Sequence, residues 1–111
     1  MSTDLQVTVR ETRVHQVVVA VTGSLDHRTT AGFHQQTAAL MTARRHMVLD
    51  MSQVTFCDSS GLNTLLLLLR QAQINDTTLT LTAVPAQMRR LLATTGADTV
   101  LGVRGGDTGG G

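Results

Sequence analysis

The sequence predicts an α/β fold, a mixed β-sheet with helices packed on it. Three observations carry this. The first is a pair of apolar segments close together near the start, Leu5–Val9 and Val14–Val21, which read as an antiparallel hairpin. The second is a regular exchange of short apolar segments with helical patterns from His27 onward. The third is size: 111 residues, 41% of them hydrophobic, suit one compact domain with a single core.

Leu5-Gln-Val-Thr-Val9 alternates apolar and polar residues, as a half-buried strand does. Val14 to Val21 is β-branched and nearly continuous, so it predicts a more buried strand, with Glu11-Thr12-Arg13 as the connecting turn. Gly23-Ser24-Leu25-Asp26 breaks the strand pattern, and Asp26 is placed to cap the helix that follows. Phe33, Thr37, Leu40 and Met41 fall on one helical face, predicting an amphipathic helix through about Ala43. Met47–Leu49 and Val54–Phe56 are short apolar strand segments. A leucine-rich helix is expected from Gly61 to about Gln73, with Leu62, Leu65, Leu66, Leu69 and Ala72 facing the sheet. Thr78-Leu-Thr-Leu-Thr82 alternates cleanly as a strand. Pro85 suits the first turn of a third helix with Met88, Leu91 and Leu92 as its buried stripe, and Gly96 ends it. Val100, Leu101 and Val103 supply a last short strand. Residues 105–111 form a glycine-rich tail with no apolar anchor, which predicts disorder after a domain spanning residues 1–104.

Composition removes several function classes. The net charge is +1, all nine basic residues are Arg, and the only aromatics are two Phe, so the stacking platforms and basic tracks of nucleic-acid binders are missing. Cys57 is the single cysteine, which rules out an internal disulfide or a cysteine-built metal site and fits a reducing compartment. His15, His27, His34 and His46 are scattered with no metal-ligand spacing, so neither metal nor cofactor is expected. No charged-then-apolar leader opens the chain, which argues against secretion. The apolar run Leu65–Leu69 is far too short to cross a bilayer.

The cluster Cys57-Asp58-Ser59-Ser60-Gly61-Leu62 stands where a buried strand gives way to the leucine-rich helix. Asp and Ser are the residue types that satisfy the free N–H groups of a helix start, so a plain cap is one reading. Phosphorylation is the other. A serine there offers its hydroxyl at the positive end of the helix dipole, and a phosphate adds about −1.5 to −2 charges. On the helical wheel Ser60, Asn63, Leu67, Arg70 and Ile74 form a second stripe away from the sheet-facing leucines. Either the helix is buried nearly all round, or this stripe is exposed and meets a partner. A serine-hydrolase elbow needs Gly two positions before and after its nucleophile. For Ser59 those positions hold Cys57 and Gly61, and for Ser60 they hold Asp58 and Leu62. With no Gly-rich phosphate loop either, the chain is not expected to be an enzyme.

Three segments together, Gly23-Ser-Leu-Asp26, Asp58-Ser-Ser-Gly-Leu62 and Met88-Arg-Arg-Leu-Leu-Ala-Thr-Thr-Gly96, resemble the STAS domain of bacterial anti-sigma factor antagonists, over about residues 5 to 103. The resemblance implies four to five strands with the helices on one side. It implies partner switching in the cytoplasm. The unphosphorylated antagonist binds an anti-sigma factor serine kinase and frees a sigma factor; phosphorylation releases it, and a phosphatase acting on phosphoserine restores it. It makes Ser59 the phosphoacceptor, with Asp26 and Asp58 as acidic neighbours and Ser60 and Gly61 at the helix start. Asn63, Leu67 and Arg70 then belong to the kinase-facing surface. It also implies a further C-terminal helix, where this chain becomes glycine-rich after Val103; the expected state is a monomer, or a weak dimer. The other function found among STAS proteins is a non-switching scaffold or accessory subunit of a membrane transporter complex.

Overall fold

The computed structural model describes residues 5–41, 46–99 and 101–104. The elements are β1 (Leu5–Thr12), β2 (Gln16–Leu25), α1 (Thr30–Leu40), β3 (His46–Cys57), α2 (Ser59–Ile74), β4 (Thr78–Thr82), α3 (Ala86–Thr95), a 3-10 turn (Ala97–Thr99) and β5 (Gly102–Arg104). The strands lie side by side in chain order, β1 antiparallel to β2 and the rest parallel. The expected continuation of α1 through Ala43, the strand position Val100 and the tail 105–111 lie outside the described residues.

The hairpin forms, but its turn sits two residues later than the sequence pattern placed it. Glu11 and Thr12 remain in β1, and the chain reverses over Arg13–Gln16, where the Arg13 N–H donates to the Gln16 carbonyl at 2.7 Å. A register shift between Val9 and Glu11 absorbs one residue of β1 and brings Glu11 opposite Val18. Val14 is a turn residue, 80% exposed, so the run of valines overstated the strand.

β2 does not break at Gly23. Its backbone there takes a φ of 114°, a conformation glycine reaches without strain, and pairing with β3 continues to Leu25 opposite Cys57. β3 is likewise one strand of twelve residues where two segments were expected. Asp50 folds back on its own strand, accepting the Ser52 N–H at 2.9 Å, and two register shifts against β2 take up the extra residues.

Side chains on one face of the sheet meet all three helices. Val17, Val19 and Val21 of β2, Met47, Leu49 and Met51 of β3, and Leu79 and Leu81 of β4 pack against Phe33 of α1, Leu62, Leu65, Leu68 and Ala72 of α2, and Met88 and Leu92 of α3. Each fully buried Leu, Met or Phe in such a layer contributes about 1.5–3 kcal/mol. The opposite face is more polar: Gln6, Thr8 and Thr22 are exposed, and Arg10 of β1 reaches across β2 to Asp50 of β3 at 2.9 Å. Leu68 is fully buried while Leu66 and Leu69 are only partly so, a correction to the expected sheet-facing set. Five consecutive leucines carry no periodicity from which to choose. Pro85 stands immediately before α3 rather than inside its first turn, and Gly96 ends the helix with a φ of 79°.

Candidate functional site

The Asp58 cluster occupies the carboxyl end of β3, where the chain turns directly into α2. Asp58 is the N-cap: its Oδ1 accepts the Ser60 N–H at 2.9 Å and the Gly61 N–H at 3.2 Å. This satisfies two of the donors that a helix start leaves free and places a carboxylate at the positive end of the dipole. Ser59 is the first residue of α2 and is exposed. Its hydroxyl makes no hydrogen bond among the described residues, so it stands open to an incoming group. Ser60 is half-buried, and its carbonyl accepts the Thr64 hydroxyl at 3.0 Å.

Tertiary packing brings the end of β2 against this turn. The Asp58 N–H donates to the Leu25 carbonyl at 3.2 Å, and Gly61 is buried against Leu25 and Cys57. Asp26, the residue after Leu25, is therefore a near neighbour of the helix start. It does not cap α1, whose N-cap is Thr29 without a side-chain bond. Instead it builds its own turn one step earlier: its carboxylate accepts the Arg28 N–H at 2.9 Å, the Arg28 guanidinium at 3.1 Å and the Ser24 hydroxyl at 3.0 Å. Two short polar side chains at one turn, Asp26 and Thr29, both offer capping chemistry, and the sequence alone could not order them. Its bonds to the Arg28 side chain and then the Arg28 backbone N–H hold the Asp26 carboxyl at about 2. It is ionised at any physiological pH.

Cys57 is fully buried, and burial first, then the Asp58 charge, pushes its thiol up to about 12. The thiolate that reactive cysteines need is suppressed. Both backbone polar groups of Cys57 are held from α3: its N–H donates to Gln87 Oε1 at 3.0 Å, and Gln87 Nε2 donates to its carbonyl at 2.8 Å. No sequence signal singled out Gln87, since a lone Gln in a helix has no motif.

Past the cluster, α2 shows two kinds of surface. Asn63, Leu67, Arg70 and Ile74 are all exposed, Leu67 by 47% and Ile74 by 76%. The stripe is open to solvent and not buried. Leu67, Arg70 and Ile74 of the stripe form one wall of a groove against α1, comprising two adjoining cavities of about 240 and 340 Å³ that share His34 and Leu67. Thr30 and Ala31 line the half nearer Ser59; Arg70 and Ile74 line the far half. Neither α1 nor α2 contains a carboxylate residue. The structure thus gathers Asp58, Ser59, Ser60 and the buried Gly61 at the start of α2, with the buried Asp26 next in sequence to the Leu25 that touches them, and sets Asn63, Leu67 and Arg70 along the helix leading away.

Among the described residues no group of His, Cys, Asp and Glu is arranged to hold a metal ion, and no helix is long and apolar enough to cross a membrane. Residues 8–103 match the family model described as "Mlab, STAS domain". An anti-sigma factor antagonist from Mycobacterium paratuberculosis is similar in structure, with a TM-score of 0.77 and 25% identity, covering 89% of this chain and 84% of that one. The anti-sigma factor antagonist SpoIIAA in its unphosphorylated form shares the fold with a TM-score of 0.73 at 16% identity, over 92% of this chain and 89% of that one.

Proposed function

The chain belongs to the STAS domain family, and from that premise we propose that it is an anti-sigma factor antagonist that works by partner switching. The observation that carries this reading is the position of Ser59: an exposed hydroxyl, unbonded among the described residues, on the first residue of α2, at the head of the open Asn63, Leu67, Arg70 and Ile74 stripe. The 25%-identical antagonist supports the general role.

In this reading Ser59 is the phosphoacceptor and the partner is an anti-sigma factor serine kinase in the cytoplasm. The kinase docks on the Ser60, Asn63, Leu67 and Arg70 face, with Asp26, Asp58 and Gly61 shaping the patch around the hydroxyl. The switch is local. A phosphate on Ser59 sits beside the capping carboxylate of Asp58, where helix N–H groups make the charge tolerable for the fold. A partner surface closed over the same spot has to desolvate about two added negative charges, and it lets go. A phosphoserine phosphatase resets the cycle. No step calls on the protein's own catalysis.

The test is incubation with the cognate kinase and ATP, followed by mass spectrometry. Phosphate is expected on Ser59, and Ser59→Asp is expected to lose kinase binding that Ser59→Ala keeps. Phosphate elsewhere, or equal affinities of the two variants, overturns the reading.

A second reading rests on the same family match, whose description names Mlab and a STAS domain. This is a non-switching STAS scaffold or accessory subunit of a membrane transporter complex. Co-purification with a transporter, unchanged by either Ser59 substitution, selects it.

A further inference from the structure

β3 outruns its parallel neighbour. Its pairing with β4 ends at Asp50 opposite Thr82, yet the strand continues to Cys57. On the β2 side, pairing follows it to the end, with Leu25 opposite Cys57 and the Asp58 N–H on the Leu25 carbonyl. On the β4 side, the ladder has stopped, and a buried strand end there has to find other partners for its backbone groups. Gln87 provides them. A primary amide offers one face with the same donor and acceptor as a peptide group, and Gln87 presents both to Cys57 at 3.0 and 2.8 Å. One side chain of α3 thus takes the place of a strand residue that β4 does not supply.

Its position gives the bond its consequence. Cys57 is followed at once by the cap Asp58 and then by Ser59, so whatever fixes the Cys57 peptide fixes the start of α2. We propose that Gln87 is a positioning residue for Ser59: it holds the end of β3 from α3, and so sets where the hydroxyl is presented. This rests on the reading of Ser59 as the phosphoacceptor. A misplaced acceptor lowers the rate of transfer, whereas the α1–α2 groove that would bind the kinase is untouched.

Gln87→Met keeps the length of the side chain and removes both bonds. Arg90→Ala, an exposed change on the same helix, is the control. Amide exchange of the free protein is expected to accelerate about tenfold at Cys57 in Gln87→Met, with Val19 and Leu49 unchanged and no effect in Arg90→Ala. With a serine kinase that phosphorylates the wild-type chain, Gln87→Met is expected to lose about tenfold in kcat with KM within about twofold. Unchanged exchange at Cys57, acceleration spread evenly over β2 and β3, or an unaltered kcat overturns the proposal. If the wild-type chain takes no phosphate at Ser59, the functional reading fails, and the exchange measurement still upholds or overturns the clamp.

Discussion

A Cβ on Gly61 would lie 2.8 Å from the carbonyl oxygen of Leu25 and 2.9 Å from both the Leu25 Cβ and the Cys57 Sγ. The first turn of α2 therefore rests directly on the backbone at the end of β2, one residue before Asp26.

Gly61→Ala tests the contact. Ala gains up to about 1 kcal/mol over Gly in a helix interior. Against this, two of the three clashes are with Leu25 backbone and Cβ atoms that no rotamer change can move, and overpacking of this kind costs about 1–3 kcal/mol. The steric term wins. Urea denaturation is expected to show a loss of about 1–2 kcal/mol; a variant as stable as wild type removes the argument.

Leu67 and Leu68 are adjacent and opposite in role. Leu68 is fully buried and Leu67 is 47% exposed. Leu68→Ala is expected to cost about 2–5 kcal/mol. Leu67→Ala is expected to stay within about 0.5 kcal/mol of wild type in stability, yet to weaken the complex with the kinase by about tenfold or more. Paired denaturation and binding measurements check this. Normal binding by Leu67→Ala removes the groove from the interface.

Acid stability depends on Asp26. Its folded-state value of about 2 lies below the ordinary carboxylate value of 3.8, so folding favours the ionised form. The stabilisation is present in full above about pH 4 and is lost as the pH falls through about 2. Asp26→Asn is expected to flatten the stability profile over that window and to leave its shape unchanged near neutrality. An identical acid limb in the two proteins contradicts the role given to Arg28 and Ser24.

The Cys57 thiol, raised to about 12, is almost wholly protonated at pH 8. Native protein is expected to react with a thiol reagent at least about a hundredfold more slowly than protein unfolded in urea. Fast labelling of the native state would show that the strand end opens readily.

The chain by itself determined the element order and the place of the serine cluster. Period-two and helical patterns are clear at Leu5–Val9 and Phe33–Met41, because each has one buried and one wetter face; Thr78–Thr82 alternates in sequence although Thr80 is buried with Leu79 and Leu81. The Asp-Ser-Ser-Gly start of α2 was legible because capping is a local bargain between side chain and backbone. That Leu67 and Ile74 lie on a face apart from Leu62, Leu65 and Ala72 is legible from the wheel; that this face is open is decided by the packing.

Tertiary structure decided the rest. The continuous strands through Gly23 and through Asp50–Gln53 exist because parallel pairing with a neighbour outweighs a locally unfavourable sequence. Which of the five leucines are buried, Leu65 and Leu68, depends on the docking angle of α2. Leu25 meets the start of α2, and Gln87 meets Cys57 thirty residues away, only because the fold packs β2, β3 and α3 together. Local sequence sets each helix's caps and faces; a contact between distant residues is set by the register and layering of the whole sheet, which no short window of residues contains.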